Sequence, residues 1–215
     1  MPSVGKVPGQ LDHLLLGTND RDRGIAWFEE RTGVRAAVGG SHPGRGTRNA
    51  LVALGGRRYL EIIAPDPDQD AANLQLNLGA LSEPRLIAWA VTADLDALAQ
   101  RLRDDGDAKA VPREGSRSRP DGLLLQWRTL AIDADLADPE INPIPFFIEW
   151  VAGSLHPSQD APTGCDLASF EFEHPSPNRL ESRLAALGIE AIVRHAAVVG
   201  LLAALDTPRG CVVLT

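Results

Sequence analysis

Along this chain, short apolar runs of strand length alternate with stretches in which apolar residues recur every three or four positions. Leu11-Asp12-His13-Leu14-Leu15-Leu16 leads into Asp20, an amphipathic stretch and Gly33. Leu86-Ile87-Ala88-Trp89-Ala90-Val91 leads into Asp94, a second such stretch and Gly106. Leu167-Ala168-Ser169-Phe170-Glu171-Phe172 leads into Ser176-Pro177, a third stretch and Gly188. Further apolar runs separated by turn residues follow each time. The repetition predicts an α+β fold built from βαβββ units.

Unit one covers roughly 10–65. Asn19 or Asp20 caps its helix, Gly33 ends it with left-handed geometry, and Ile25, Phe28 and Thr32 form the buried stripe. Strands are expected at 34–38, 48–54 and 58–64, the last two joined by Gly55-Gly56-Arg57. Unit two covers roughly 84–153. Asp94 caps a helix with Leu95, Leu98 and Leu102 on one face, and strands follow near 109–113, 122–130 and 145–151. Between the last two, the Asp-, Pro- and Asn-rich insertion Ala131 to Ile144 reads as a surface loop, with Asp138 and Glu140 in water.

Residues 158–215 hold a third, shorter, degenerate βαβββ-like unit packed on the paired units of 1–157. Its helix starts at Pro177, carries Leu180, Leu184 and Leu187, and stops at Gly188. Strands are expected near 190–194, 197–205 and 210–214. Ser169, Glu171 and Glu173 alternate with Phe170 and Phe172, the pattern of a sheet with one wet face, which could extend the sheet or cover a homodimer surface. The connection from Pro65 to Pro84 is long enough to carry structure, with a short helix over 72–78.

Charge narrows the function. A net charge of -8 without a basic run argues against nucleic acid and anionic membranes as partners. The apolar runs are strand-sized and no charged-then-apolar leader follows Met1, so a cytoplasmic protein without a membrane span is expected. Cys165 and Cys211 are expected to be free thiols. No serine nucleophile elbow, P-loop or dinucleotide fingerprint is present.

Several segments together resemble the vicinal oxygen chelate superfamily and its glyoxalase-like branch. They are Leu11-Asp12-His13, Trp27-Phe28, His42-Pro43-Gly44-Arg45-Gly46-Thr47-Arg48-Asn49 and Tyr59-Leu60-Glu61, with Arg117-Ser118-Arg119-Pro120-Asp121-Gly122 and Phe146-Phe147-Ile148-Glu149-Trp150 in unit two. The resemblance covers about 1–157, and the third unit shares only the order of elements. It implies a glyoxalase/dihydroxybiphenyl dioxygenase-like fold, with two units paired around a concave cleft that holds a divalent metal (Zn, Ni, Mn or Fe) chelating adjacent substrate oxygens.

Strand periodicity selects the ligands, because residues two apart share a face. His13 faces opposite to Leu14 and Leu16, Glu61 shares a face with Tyr59 and Ile63, and Glu149 shares one with Phe147 and Val151. His13, Glu61 and Glu149 are therefore the candidate metal ligands, a mixed imidazole and carboxylate set suited to a transition metal. Aligning the helix caps puts Ile87 where His13 stands, so the fourth position is apolar. The third unit has no ligand at either position. Arg48, Arg117, Arg119 and Arg128 are available to pair with the glutamates instead. His42 in its Gly-rich loop, Arg48, Trp89, Arg117 and Trp127 are the candidate substrate contacts. His156 reads as a solvent-facing loop residue near Glu149, while His174 and His195 read as structural.

The expected function is that of a metal-dependent lyase or isomerase acting on a small oxygen-rich molecule. Glu61 or Glu149 would be the base, with the metal stabilising an enediolate-like charge. A metal-free protein that sequesters a small ligand is the alternative. An extradiol-type dioxygenase is disfavoured, since that chemistry usually takes two histidines and one carboxylate.

Overall fold

The computed structural model describes residues 7–74, 76–107, 110–119, 121–132, 136–137 and 141–215. Asp138, Glu140 and Pro120 lie outside the described residues. Unit one comprises β1 (Leu11–Gly17), α1 (Arg21–Thr32), β2 (Ala37–His42), β3 (Thr47–Ala53) and β4 (Tyr59–Pro65). Asp20 caps α1 by accepting from the Arg23 N–H, and Gly33 ends it at φ 79°, where a side chain would be strained. Unit two comprises β5 (Arg85–Thr92), α2 (Leu95–Asp104), β6 (Arg113–Ser118), β7 (Leu124–Leu130) and β8 (Phe146–Trp150). Asp94 caps α2 through the N–H groups of Asp96 and Ala97.

The two units form one eight-stranded sheet in the order β2-β3-β4-β1-β5-β8-β7-β6. In each, the first strand runs parallel to the last, and the units join where β1 pairs antiparallel with β5. A single chain thus completes the cleft. The sheet is nearly closed on itself, because edge strands β2 and β6 approach each other. A side-chain carbon on Gly40 would lie 2.3 Å from the Ser118 carbonyl oxygen.

The helix-facing side of this sheet carries the main core: Leu14, Leu16, Leu60, Ile62, Trp89 and Val91 pack with Ile25, Phe28 and Leu98. The third set of elements joins the same core. It comprises β9 (Asp166–His174), α3 (Pro177–Ala186), β10 (Val193–His195), β11 (Gly200–Thr207) and β12 (Gly210–Leu214). Phe170 and Phe172 lie 5.3 and 5.1 Å from Trp89, ring to ring. Main-chain bonds from Leu167 N–H to the Leu54 carbonyl and from Leu86 N–H to the Thr215 carbonyl tie this layer to the large sheet.

The order of elements repeats in the third layer, but the pairing does not. Its sheet runs β10-β9-β11-β12, so β9 pairs in parallel with the strand that follows its helix, and β11 takes the other side. Glu171 is covered through a 2.6 Å ion pair with Arg194.

Both long connections depart from expectation. The 65–84 segment forms two short 3-10 turns, Ala71–Asn73 and Leu78–Ala80, in place of one helix over 72–78. The 131–144 insertion is not a surface loop in its described residues. Ile132, Leu136, Ile141 and Ile144 are buried, Asn142 N–H donates to the Ile87 carbonyl, and the Pro143 carbonyl accepts from Trp89 Nε1. Its isoleucines outweigh the turn residues between them, because each buried side chain of that size is worth about 1.5–3 kcal/mol.

Candidate active-site cleft

The concave face of the large sheet encloses a cavity of about 580 Å³. The inward alternation along β1, β3 and β4 places His13, Leu15, Thr47, Asn49, Leu51, Tyr59, Glu61 and Ile63 on its wall. Unit two contributes Ile87, Ala88, Arg117, Trp127, Phe146, Ile148 and Trp150. The two long connections form the remaining walls, with Leu78 and Leu81 from one and Ile132, Ile141 and Ile144 from the other.

Glu61 is the centre of the polar half. Its carboxylate accepts from Asn49 Nδ2 at 2.7 Å and lies 3.6 Å from His13 Nε2 and 3.5 Å from His42 Nε2. Burial pushes its carboxyl up, but His42, His13, the Asn49 amide and Arg117 outweigh that and hold it below its ordinary value. Glu61 is therefore a carboxylate at neutral pH. Burial, with Glu61 opposing and Arg117, Arg45 and His13 nearby, lowers His42 below its ordinary value. Its Nε2 accepts from Asn49 at 3.2 Å, so its Nδ1–H donates to Thr47 Oγ1 at 2.9 Å.

Behind the wall lies a second centre, Asp12, which is fully buried. It accepts from His13 Nδ1 at 2.7 Å, Trp150 Nε1 at 3.1 Å and His156 Nε2 at 3.1 Å. Burial acts against its charge, but the His13 and His156 hydrogen bonds prevail and hold it far below the usual carboxylate range. This fixes His13 with its Nδ1–H toward Asp12 and Nε2 toward Glu61, the role a supporting carboxylate plays behind a catalytic or ligating imidazole. The ring stacks on Tyr59 at 4.5 Å.

Gly39 and Gly40 build the rest. The register of β2 against β3 shifts between Val38 and Ser41, the Gly40 N–H donates to Asn49 Oδ1 at 3.0 Å, and this turns the Asn49 amino group toward Glu61 and His42. A side-chain carbon on Gly39 would lie 2.1 Å from Asn49 Oδ1 and 2.9 Å from Arg117 Nη1. The missing side chains admit the Arg117 guanidinium across the seam between β2 and β6. Arg117 is 3% exposed, and its Nη1 is buried without a hydrogen-bond partner.

The expected residues divide cleanly. His13, His42, Glu61, Arg117 and Trp127 all line the cavity. Glu149, Trp89 and Arg48 do not. Glu149 lies on the outer face of β8 and pairs with Arg128 at 3.0 Å, while Arg128 also holds Asp96 on α2. The reason was visible in its neighbours: Glu149 shares its face with Phe147, a residue of the helix-side core, so the cleft receives Phe146, Ile148 and Trp150. Trp89 points into that same core against Phe170 and Phe172. Arg48 alternates away from Thr47 and Asn49 and ends 4.0 Å from Asp20 at the start of α1. Arg119 pairs with Asp121 and Asp160 rather than with a glutamate of the cleft. His156, expected in solvent, is fully buried. Its only local signal was the His-Pro pair, which opens a 3-10 turn closed by a capping box with Gln159.

Sequence comparison matches the glyoxalase-like domain over residues 11–188. The chain belongs to that family, within the vicinal oxygen chelate superfamily. The matched residues run past 157 through α3, further than the motifs of units one and two alone. No curated protein matches the chain. A crystal structure of a hypothetical protein from Staphylococcus aureus shares the fold, with a TM-score of 0.63 and 16% identity over 94% of this chain and 83% of that one. Methylmalonyl-CoA epimerase from Mycobacterium tuberculosis superposes at 0.41 and 20% identity, over 69% of this chain and 90% of its own. A methylmalonyl-CoA epimerase in complex with methylmalonyl-CoA and NH4+ superposes at 0.44 and 18%, over 69% and 99%. Among the described residues, no helix is long and apolar enough to cross a membrane.

Divalent metals are common in the superfamily, so the donor set of this chain matters. Among the described residues, no group of three or more His, Cys, Asp or Glu side chains is placed to hold a metal ion. Both ring nitrogens of His42, Nδ1 of His13 and Oε1 of Glu61 already have partners, and Glu149 faces outward. His13 Nε2 and Glu61 Oε2 are what remain, two donors where a catalytic zinc-type site uses three, beside the buried Arg117 cation. These residues do not fit a divalent metal, and the triad of His13, Glu61 and Glu149 does not form.

Proposed function

We propose that this glyoxalase-like protein is an isomerase- or lyase-type enzyme that moves a proton at a carbon next to a carbonyl, using Glu61 and His13. The observation that carries this reading is the Glu61 carboxylate, held charged on the cavity wall 3.6 Å from a histidine whose far nitrogen is fixed by a buried aspartate. Glu61 takes the proton from the carbon, and the electron pair of that C–H bond moves onto the carbonyl oxygen to give an enolate. His13 Nε2 shares the proton held by Glu61, and the Asp12 carboxylate stabilises the imidazolium formed. Arg117, itself buried, supplies positive charge for the oxyanion, and such charge counts most in a low-dielectric wall. Delivery of the proton to the opposite face of that carbon, or to the neighbouring carbon, completes an isomerisation, and loss of a β-substituent instead completes an elimination.

The competing reading, a small-molecule binder without turnover, is supported by the same apolar walls. Exchange in D2O separates the two. Protein purified without chelators is incubated with a panel of 2-oxo acids and acyl thioesters, and loss of the α-proton signal is followed by NMR. Exchange that persists in EDTA and falls at least about a hundredfold in Glu61→Gln is expected, since a general base contributes about 10²–10⁴-fold. Ligand binding with no exchange in any compound would leave the binder. Exchange that EDTA abolishes and Zn, Ni, Mn or Fe restores would reinstate a metal on His13 and Glu61.

A further inference from the structure

The cavity is built for more than a small polar molecule. Its lining residues among those described include two cations, Arg45 and Arg117, against one carboxylate, Glu61, on a chain whose net charge is -8. Arg117 Nη1 is buried with no acceptor, and an unmet donor on a charged group is costly to keep from water. Away from this polar half the wall turns apolar. Ile63, Leu78, Leu81 and Ile87 pack into a satellite cluster, and Ile141 and Ile144 of the insertion face the same space. A volume of about 580 Å³ falls among pockets that hold drug-sized ligands, about 300–1,000 Å³.

We infer that the substrate is an amphipathic monocarboxylate, its head on Arg117 and its aliphatic or aromatic body against the wall made by the two long connections. A single negative charge suits the balance of two arginines and one glutamate better than a dianion such as a phosphate monoester, which Glu61 would repel. A guanidinium is matched to the two oxygens of a carboxylate, and an apolar body recovers free energy in proportion to the surface it removes from water. The inference rests on the proton-transfer reading for what happens at the α-carbon, but binding can be tested without turnover.

Trp127 and Trp150 line the cavity and report occupancy by fluorescence. The intact protein is titrated with acetate, hexanoate and octanoate, and with octanamide and octyl phosphate. Octanoate is expected to bind at least about tenfold more tightly than octanamide, octyl phosphate and acetate, the ratio of a charge-assisted hydrogen bond. Arg117→Gln is expected to remove the preference for octanoate over octanamide and leave octanamide unchanged, with Arg117→Lys keeping part of it. Glu61→Gln is expected to bind octanoate at least as well as the parent while losing exchange, which separates failure of the substrate class from failure of the chemistry. Equal binding of octanoate and octanamide by the parent protein overturns the inference, whether or not the Arg117 variants fold. Binding of acetate as tight as octanoate overturns the apolar body, and tighter binding of octyl phosphate overturns the monocarboxylate.

Discussion

At the scale of single residues, Asp12 decides the most. It has no exposure, and three ring N–H groups from β1, β8 and the segment after β8 satisfy it. Removing the charge from such a set leaves buried donors facing a poorer acceptor. Asp12→Asn is expected to lower stability by about 3 kcal/mol, read from urea unfolding. Its acid dependence follows from sign. The folded carboxyl lies below its ordinary value of 3.8, so its contribution is present above that pH and is lost as pH falls below it toward the folded value. Glu61 acts in the same direction. The parent protein should lose stability on acidification below about pH 4, and Asp12→Asn should show a flatter acid limb. An unchanged limb would mean that Asp12 is not held ionised.

At the scale of elements, β2 matters through what it lacks. Gly39 and Gly40 shift its register and let the Arg117 side chain from β6 reach the cleft. Gly39→Ala places a carbon where Asn49 Oδ1 and Arg117 Nη1 now sit. It is expected to cost about 1–3 kcal/mol in stability and to weaken octanoate binding about tenfold. Wild-type binding in Gly39→Ala would show that Arg117 has room to move. The helix ends, by contrast, are set locally. Asp20, Gly33 and Asp94 serve at their ends as the spacing implied, because a cap depends on neighbours within one turn. Strands β2 and β6 begin three or four residues later than the pattern placed them, since edge strands are set by partners rather than by their own alternation.

At the scale of the whole molecule, the third layer completes the core of the first two units. Trp89 is fully buried chiefly because Phe170 and Phe172 cover it, and Leu54 and Leu86 are bonded into the same seam. A chain ending at residue 157 would expose this apolar surface. It is expected to be insoluble or molten, with loss of near-UV circular dichroism, whereas a folded monomeric 1–157 would show the cleft to be self-sufficient.

What the sequence determined by itself was local or repeated: the helix ends, the strand faces of His13 and Glu61, the twofold βαβββ pattern and the family. Those follow from spacing and from capping, which act over a few residues. Only the tertiary structure decided that Glu149 turns outward, that Trp89 belongs to the core, that His156 is buried on Asp12 and that the 131–144 segment walls the cleft. In each case two faces or two environments were open to the residue. The choice fell to partners far along the chain, Arg128 and Asp96 for Glu149, Phe170 and Phe172 for Trp89, Asp12 for His156, because burial and hydrogen bonding are settled only when the layers meet.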